Sequence, residues 1–437
     1  MSAQAYVGYV GQTDFRVSRC PQRCTAPTTA TAAPTSMQSA SQLGRRSLSC
    51  FPTSKSIKAR RWLSACRVFA DGSIRVETDH DRPGSSTPPP GPGQVTVKLR
   101  SAPCTPADLR TLGAPVGATA AAEPGPEPNK PPSPTAAPPH PTNSRFPFVG
   151  GSEGLWEVTA SGEGVSELRP GDLAVPAAPA SVLSPGEEAG TWRAAATLAE
   201  ASLVKVPTIG SVAGGWDQGA SAPRGEGARG IEPAVAAHCS SSVATAIRVL
   251  EDYAERELAP GDRVVFTGAS SAVAQLLLQL AASRGLESVC LVNDDEEAAL
   301  ALRLGAWKAT LLKEFKAMRM DNAYLVADGE GGVLGFTAAR ALRYRGCYVS
   351  YADVSGGGVS LPVAGQIFND IRCRGFSLPR WASTRLVAES TELVRRSLET
   401  AAEAGLRLEG VREFDLLAAV AAVGAARTPG GPVLLRG

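Results

Sequence analysis

Nine cysteines and three histidines are the residues best suited to metal or redox chemistry in this 437-residue chain, and their spacing decides whether they do any. The thiols stand at 20, 24, 50, 66, 104, 239, 290, 347 and 373, and only Cys20 and Cys24 form a close pair. With His80, His140 and His238 they make no Cys/His cluster at ligand spacing, and carboxylates alone rarely build a zinc site. No protein-bound metal is expected. A chain of this length builds a core without a disulfide framework, so scattered thiols fit a reducing compartment.

The elements that must position any site come next. At roughly 100 to 200 residues per domain, the length suggests two or three domains. The 44 Lys and Arg against 42 Asp and Glu give a net charge of +2, unevenly placed. Residues 1–66 hold nine basic residues and one acid, Asp14, so the rest of the chain is acidic by about six charges. A folded body of that sign offers no basic face for nucleic acid. No run of 18 apolar residues occurs, so no membrane span is expected. The acid-poor, Ser/Thr/Ala/Arg-rich segment 1–66 has the composition of an organellar transit peptide, with an unstructured basic tail as the alternative.

From Arg67 onward short apolar runs alternate, as in RVFADGSIRVET and QVTVKLRSAPCTPADL, and read as antiparallel strands. Ala114–Arg145 interrupts them with ten prolines and no aromatic, the composition of a surface insertion. The strand pattern resumes at FPFVGGSEGLWEVTASGEGVSELRPGDLAVPA, punctuated by Gly and Pro as in a small barrel, and Gly210–Gly230 is a second loose stretch with seven glycines. Beyond it the period changes. A helical stretch over Val243–Leu258 leads into strand RVVFT, helix SAVAQLLLQLAASRG, strand SVCLVN, helix DDEEAALALRLG, strands KATLL and NAYLVADG, helix LGFTAARALRYRG and strand CYVSYAD. Such alternation predicts an α/β fold with a doubly wound parallel sheet. A helix near Thr391–Glu403 and strand PVLLRG follow.

The strings FVGGSEG, GVSELRPGDLAVPA, GTWRAAATLAEASLVKVP, PGDRVVFTGASSAVAQ and CRGFSLPRW resemble the medium-chain dehydrogenase/reductases, and within them the mitochondrial trans-2-enoyl-thioester reductases. The resemblance covers about residues 67–437 outside the two loose stretches. It implies a mitochondrial transit segment over 1–66 and a GroES-like barrel over 67–240, interrupted by 114–145 and 210–230. A Rossmann-like domain over 241–380 and a return to the barrel over 381–437 complete the expected organisation. Zinc-bearing relatives carry His where this chain has Ser152, in accord with the absence of a metal set.

The resemblance further implies a nicotinamide cofactor, NAD(P)H, and hydride transfer to the β-carbon of an enoyl thioester of coenzyme A or acyl carrier protein. Its pyrophosphate would lie at a helix N-terminus, on Gly268, Ser270, Ser271 and Val273. Here Ala272 and Ala274 stand where the family has glycine, and Ala272 occupies the position of close backbone approach. Asn293, Asp294 and Asp295 replace the arginines that would hold a 2′-phosphate. Asp294 therefore points to NADH over NADPH, or else caps the following helix. Tyr351, Phe376 and Leu378 match cofactor-contacting positions, and Trp192 matches a place on the acyl pocket, with core packing as the alternative for each. A lysine near the family's C-terminus is replaced by Pro432.

The family's proton-donating tyrosine, expected soon after CTPADLRTLG, is missing: no tyrosine occurs between residues 10 and 252. Cys104 stands nearby as a thiol that could donate or simply pack. No catalytic residue is thereby assigned. Three functions follow: an enoyl-thioester reductase of mitochondrial fatty-acid synthesis, a degenerate relative serving as a structural subunit of a mitochondrial assembly, or a quinone-type oxidoreductase. A homodimer is a further expectation.

Overall fold

The computed structural model describes residues 65–69, 73–77, 89–111, 148–183, 190–207, 230–428 and 430–437, all within one compact unit. Both loose stretches and nearly all of the expected transit segment lie outside the described residues. The first strands are β1 (Ala65–Val68), β2 (Ile74–Glu77), β3 (Gln94–Cys104), β4 (Phe148–Val149), β5 (Leu155–Ser161), β6 (Leu173–Pro176), β7 (Ala195–Ala199) and β8 (Leu203–Lys205). The parallel series is β9 (Arg263–Thr267), β10 (Glu287–Val292), β11 (Lys308–Leu311), β12 (Ala323–Asp328), β13 (Leu342–Ser350) and β14 (Arg372–Gly375). Strands β15 (Arg412–Asp415) and β16 (Val433–Arg436) end the order.

The early strands form two sheets. One has the order β2-β1-β4; the other runs β15-β16-β3-β5-β6-β8, with β7 paired to β3. Long β3 alternates from Gln94, so that Val95, Val97 and Leu99 point inward and join Trp156, Trp192 and Leu435 in one core. The return strand β16 pairs antiparallel with the end of β3, Val433 opposite Cys104 and Arg436 opposite Ser101.

The six later strands are all parallel, in the order β11-β10-β9-β12-β13-β14. Numbered within that sheet this is 3-2-1-4-5-6, the doubly wound arrangement. Its strands are apolar on both faces because helices cover both. Val264, Phe266, Cys290, Leu325 and Ala327 pack on one side, and Val265, Val289, Leu291 and Val326 on the other. Each buried Val, Leu or Phe among them contributes about 1.5 to 3 kcal/mol. Among the described residues no helix is long and apolar enough to cross a membrane.

Three expectations need correction, and one element is new. Strand β1 begins at Ala65 and buries Cys66 completely, so ordered barrel structure starts ahead of residue 67. The region read as one helix over Val243–Leu258 is a π-helical turn, Cys239–Val243, followed by an α-helix that stops at Asp252. A helix, Leu312–Met318, unread in the sequence, connects β11 to β12. The helix expected over LGFTAARALRYRG ends at Ala339, and Leu342–Arg345 already belong to β13. There Arg345 takes a left-handed conformation, φ 61°, and the register against β12 shifts between Ala323 and Leu325. Sheet pairing overrides the helical propensity of an Ala- and Arg-rich string.

Candidate functional site

A doubly wound sheet opens a crevice where the strand order reverses, here between the carboxyl ends of β9 and β12. Beyond Thr267, Gly268 turns with φ 69°, and Ser271 caps the helix Ala272–Ser283 by accepting the Ala274 N–H at 3.2 Å. Gly268, Ser270 and Ser271 form the turn and helix start here and Tyr351 follows β13 beside Gly329, while Val273 packs against the core and Asp294 stands at the start of the helix after β10. Phe376 packs edge-to-face on Tyr253 at 6.0 Å, and Leu378 is buried in the same core.

Carboxylates dominate the crevice. Asp294 caps the helix Asp295–Arg303, its Oδ1 accepting from the Glu297 N–H at 2.8 Å. Glu297 then reaches back to the β9 turn. Its Oε1 accepts the N–H groups of Ala269 and Ser270 at 2.7 and 3.1 Å, and its Oε2 accepts the Asn293 N–H at 3.0 Å. At the end of β12, fully buried Asp328 accepts from the hydroxyls of Thr267 and Tyr348 and from the N–H groups of Glu330 and Gly331 at 3.1 and 3.0 Å.

Glu330 lies over the turn itself: a Cβ on Gly268 would run into its carboxylate. Burial, then the charges of Glu297 and Asp328, pushes its carboxyl up to about 7. Asp353 approaches from the loop after β13, where a Cβ on Gly331 would meet it. Tyr351 stands between, its hydroxyl 2.6 Å from the point a Gly329 Cβ would occupy. That hydroxyl is buried, with the Ser271 side chain beside it but no well-formed hydrogen bond.

A pyrophosphate needs free backbone donors and no facing negative charge. In this crevice Glu297 already takes two turn donors, and a second carboxylate covers Gly268, the first glycine of the turn. The residues do not fit a dinucleotide's phosphates.

The barrel side is different. Trp192 is fully buried, its indole N–H bonded to the Pro103 carbonyl at 2.9 Å and its ring filling the space beside Gly150 and Gly151. It is a packed wall residue. Glu153 is also fully buried and accepts from the Ser242 hydroxyl at 2.7 Å and its N–H at 3.1 Å; burial pushes its carboxyl up to about 8. Asp108, on the helix Pro106–Thr111, accepts from the N–H and hydroxyl of Thr105 at 2.8 and 2.7 Å; burial raises its carboxyl too. The Cys104 thiol is buried and held far above its ordinary range, first by that burial. His238 sits with Nδ1 2.7 Å from the Ala234 carbonyl, and burial lowers it to about 4. Among the described residues no group of three His, Cys, Asp or Glu could hold a metal.

Sequence reasoning missed Glu297, Asp328 and Glu330. Only Glu330 left a signal, an acid set among glycines directly after an apolar strand, in Gly329-Glu330-Gly331-Gly332.

No protein-family model matches the chain. The mitochondrial enoyl-[acyl-carrier-protein] reductase of Xenopus tropicalis is 28% identical over 317 residues, 70% of this chain and 75% of that protein. Its human counterpart is 29% identical over 274 residues, 59% of this chain and 65% of that protein, so the chain spans just under two thirds of the human relative. Among solved structures, the Etr1p/NADP/crotonyl-CoA complex superposes with a TM-score of 0.63 at 20% identity, over 86% of this chain and 99% of that one. A putative NADPH:quinone reductase from Bacillus thuringiensis gives a TM-score of 0.60 at 19% identity over similar shares. With its barrel and 3-2-1-4-5-6 parallel sheet the chain has the medium-chain dehydrogenase/reductase fold, and in sequence it is similar to the mitochondrial enoyl-[acyl-carrier-protein] reductases.

Proposed function

We propose that this chain keeps the architecture of the mitochondrial enoyl-thioester reductases without an efficient hydride reaction, and serves as a structural subunit of a mitochondrial assembly. One observation carries the reading: the crevice where a dinucleotide would lie is lined by Glu297, Asp328, Glu330 and Asp353, with the Ala269 and Ser270 N–H groups already bonded to Glu297. Two others support it. The described tyrosines, 253, 324, 344, 348 and 351, all belong to the parallel-sheet side. Trp192 and Cys104, the barrel-side candidates, are sealed in the core. The mitochondrial placement rests on the names of the relatives and the basic, acid-poor residues 1–66. Partnership rests on a neighbour described as a mitochondrial 2-enoyl thioester reductase heterodimer from Candida tropicalis; a homodimer is the simplest equivalent here.

A reductase acting on enoyl thioesters or quinones is the competing reading, and Asp294 and Asp295 at the end of β10 favour NADH over NADPH within it. The test is NADH and NADPH oxidation by purified protein with trans-2-enoyl thioesters. Loss of general acid assistance alone is worth roughly 10²- to 10⁴-fold. Turnover at least about 10³-fold below an intact family member is expected. Robust turnover, near 10 per second as in a typical enzyme, would overturn the proposal.

A further inference from the structure

We propose that Glu330 is the residue that bars a pyridine dinucleotide from the crevice: its carboxylate stands in for the ligand, lying across Gly268 on the ground a pyrophosphate would take. The inference rests on the non-catalytic reading and names the group responsible for it.

The geometry leaves Glu330 little freedom. Its N–H is held by Asp328 Oδ1 at 3.1 Å and by the Thr267 hydroxyl at 3.3 Å, which ties the loop after β12 to the end of β9. Gly329 and Gly331 flank it where Tyr351 and Asp353 leave no space for a side chain, so the loop cannot shift toward β13. The side chain therefore projects over the β9 turn. Groups face it from every neighbouring element. Glu297 and Asn293 lie on the β10 side, with the Cys290 thiol beneath, Asp328 lies on its own strand, and Asp353 and Tyr351 lie beyond β13. The charged groups named there are all acids, and Asn293 is the neutral donor. A dinucleotide would bring two further negative charges into a crevice that already repels its own.

Glu297 is a lesser obstacle. It is anchored on four sides by Ala269, Ser270, Asn293 and the cap at Asp294, and it braces the turn. Glu330 makes no comparable set of bonds, so removing its charge opens the crevice without dismantling it.

The experiment is a fluorescence titration of the full chain with NADH at pH 6, 7 and 8, for the native protein, Glu330→Gln and Glu330→Ala, with thermal melting to verify folding. The native protein should bind weakly, and more tightly at pH 6 than at pH 8, because a carboxyl poised at about 7 is mostly neutral at the lower pH. Both variants should bind at least about tenfold more tightly at pH 8 and lose most of the pH dependence. The isosteric Gln variant carries the test if Ala alters folding. Folded variants that bind no better than the native protein would overturn the inference and leave the non-catalytic reading standing. Native protein that binds NADH tightly at pH 8 would also overturn it. Native protein that reduces enoyl thioesters would overturn the reading itself, whatever the variants do.

Discussion

Glu153 in the barrel and Glu330 in the crevice are both acids lifted toward neutrality by burial, yet donors outweigh the one acid, Asp108, around the first, and acids outweigh the one donor, Asn293, around the second. Glu153 meets donors: the hydroxyl and N–H of Ser242 donate to its two carboxylate oxygens, and the Thr191 hydroxyl donates to its backbone carbonyl at 2.7 Å. Glu330 meets other acids. A buried polar group with its lone pairs filled acts as packing, whereas one facing like charges is a standing cost that folding does not require. The contrast separates what this chain keeps for stability from what it has changed at the site.

The strongest way to break that contrast is to cut the barrel wall. Trp192→Ala should lose about 3 to 5 kcal/mol in a denaturant titration, the cost of an emptied aromatic site. Tyr351→Phe in the crevice should change stability by no more than about 1 kcal/mol, because its buried hydroxyl has only a poorly formed contact with Ser271 to lose. A large loss at Tyr351 would mean that the crevice is packed like the barrel.

Next in size is pH dependence. Glu153 ionises near pH 8 when folded and near 4.5 when unfolded, so the folded state holds the extra proton between those values. Its contribution to stability is therefore complete below about 4.5 and is lost as pH rises through 8. Glu153→Gln should flatten that decline by up to about 1.4 kcal/mol per pH unit, read from melts across pH 5 to 8. His238 acts at the acid end: neutral when folded down to about 4, it withdraws stability as pH falls from 6.5. An unchanged slope in Glu153→Gln would remove the barrel side of the comparison.

Smaller effects belong to the crevice rim. Ser271→Ala removes the cap on the Ala274 N–H and should cost about 1 kcal/mol by chemical denaturation. The smallest change is expected from Asp294→Arg combined with Asp295→Arg. It should raise NADPH binding relative to NADH by only about severalfold in paired titrations, since charge-assisted hydrogen bonds at the rim leave Glu330 in place. A complete reversal of preference would show that the rim, and not Glu330, governs entry.

The alternation of strands and helices after residue 260 was legible because each element carries its own period, and the barrel because Gly and Pro punctuate it. The helix Leu312–Met318 was not, being too short to show a period beside KATLL. Leu342–Arg345 reads as helix because nothing local reveals the pairing with β12. At the site, the missing tyrosine and the acidic end of β10 could be read directly. Glu297 could not: an acid in the first turn of a helix reads as a cap, and only the approach of the β9 turn makes it an acceptor for Ala269 and Ser270. Trp192 reads equally as pocket or core from sequence, because its indole bond to Pro103 depends on a residue 89 positions away.

The pairing of β16 with β3 also sets an order of events during synthesis. Residues 433–436 fill a place beside residues 101–104, and the whole parallel sheet is made in between. The barrel thus stays open until some 330 later residues have emerged, while β9 through β14 can settle first. Contacts so distant in sequence form slowly, and until they form the β3 edge is exposed to pairing with other chains. A nascent chain held short of residue 433 would carry a finished α/β core and an unfinished barrel, the state in which a folding helper has most to protect.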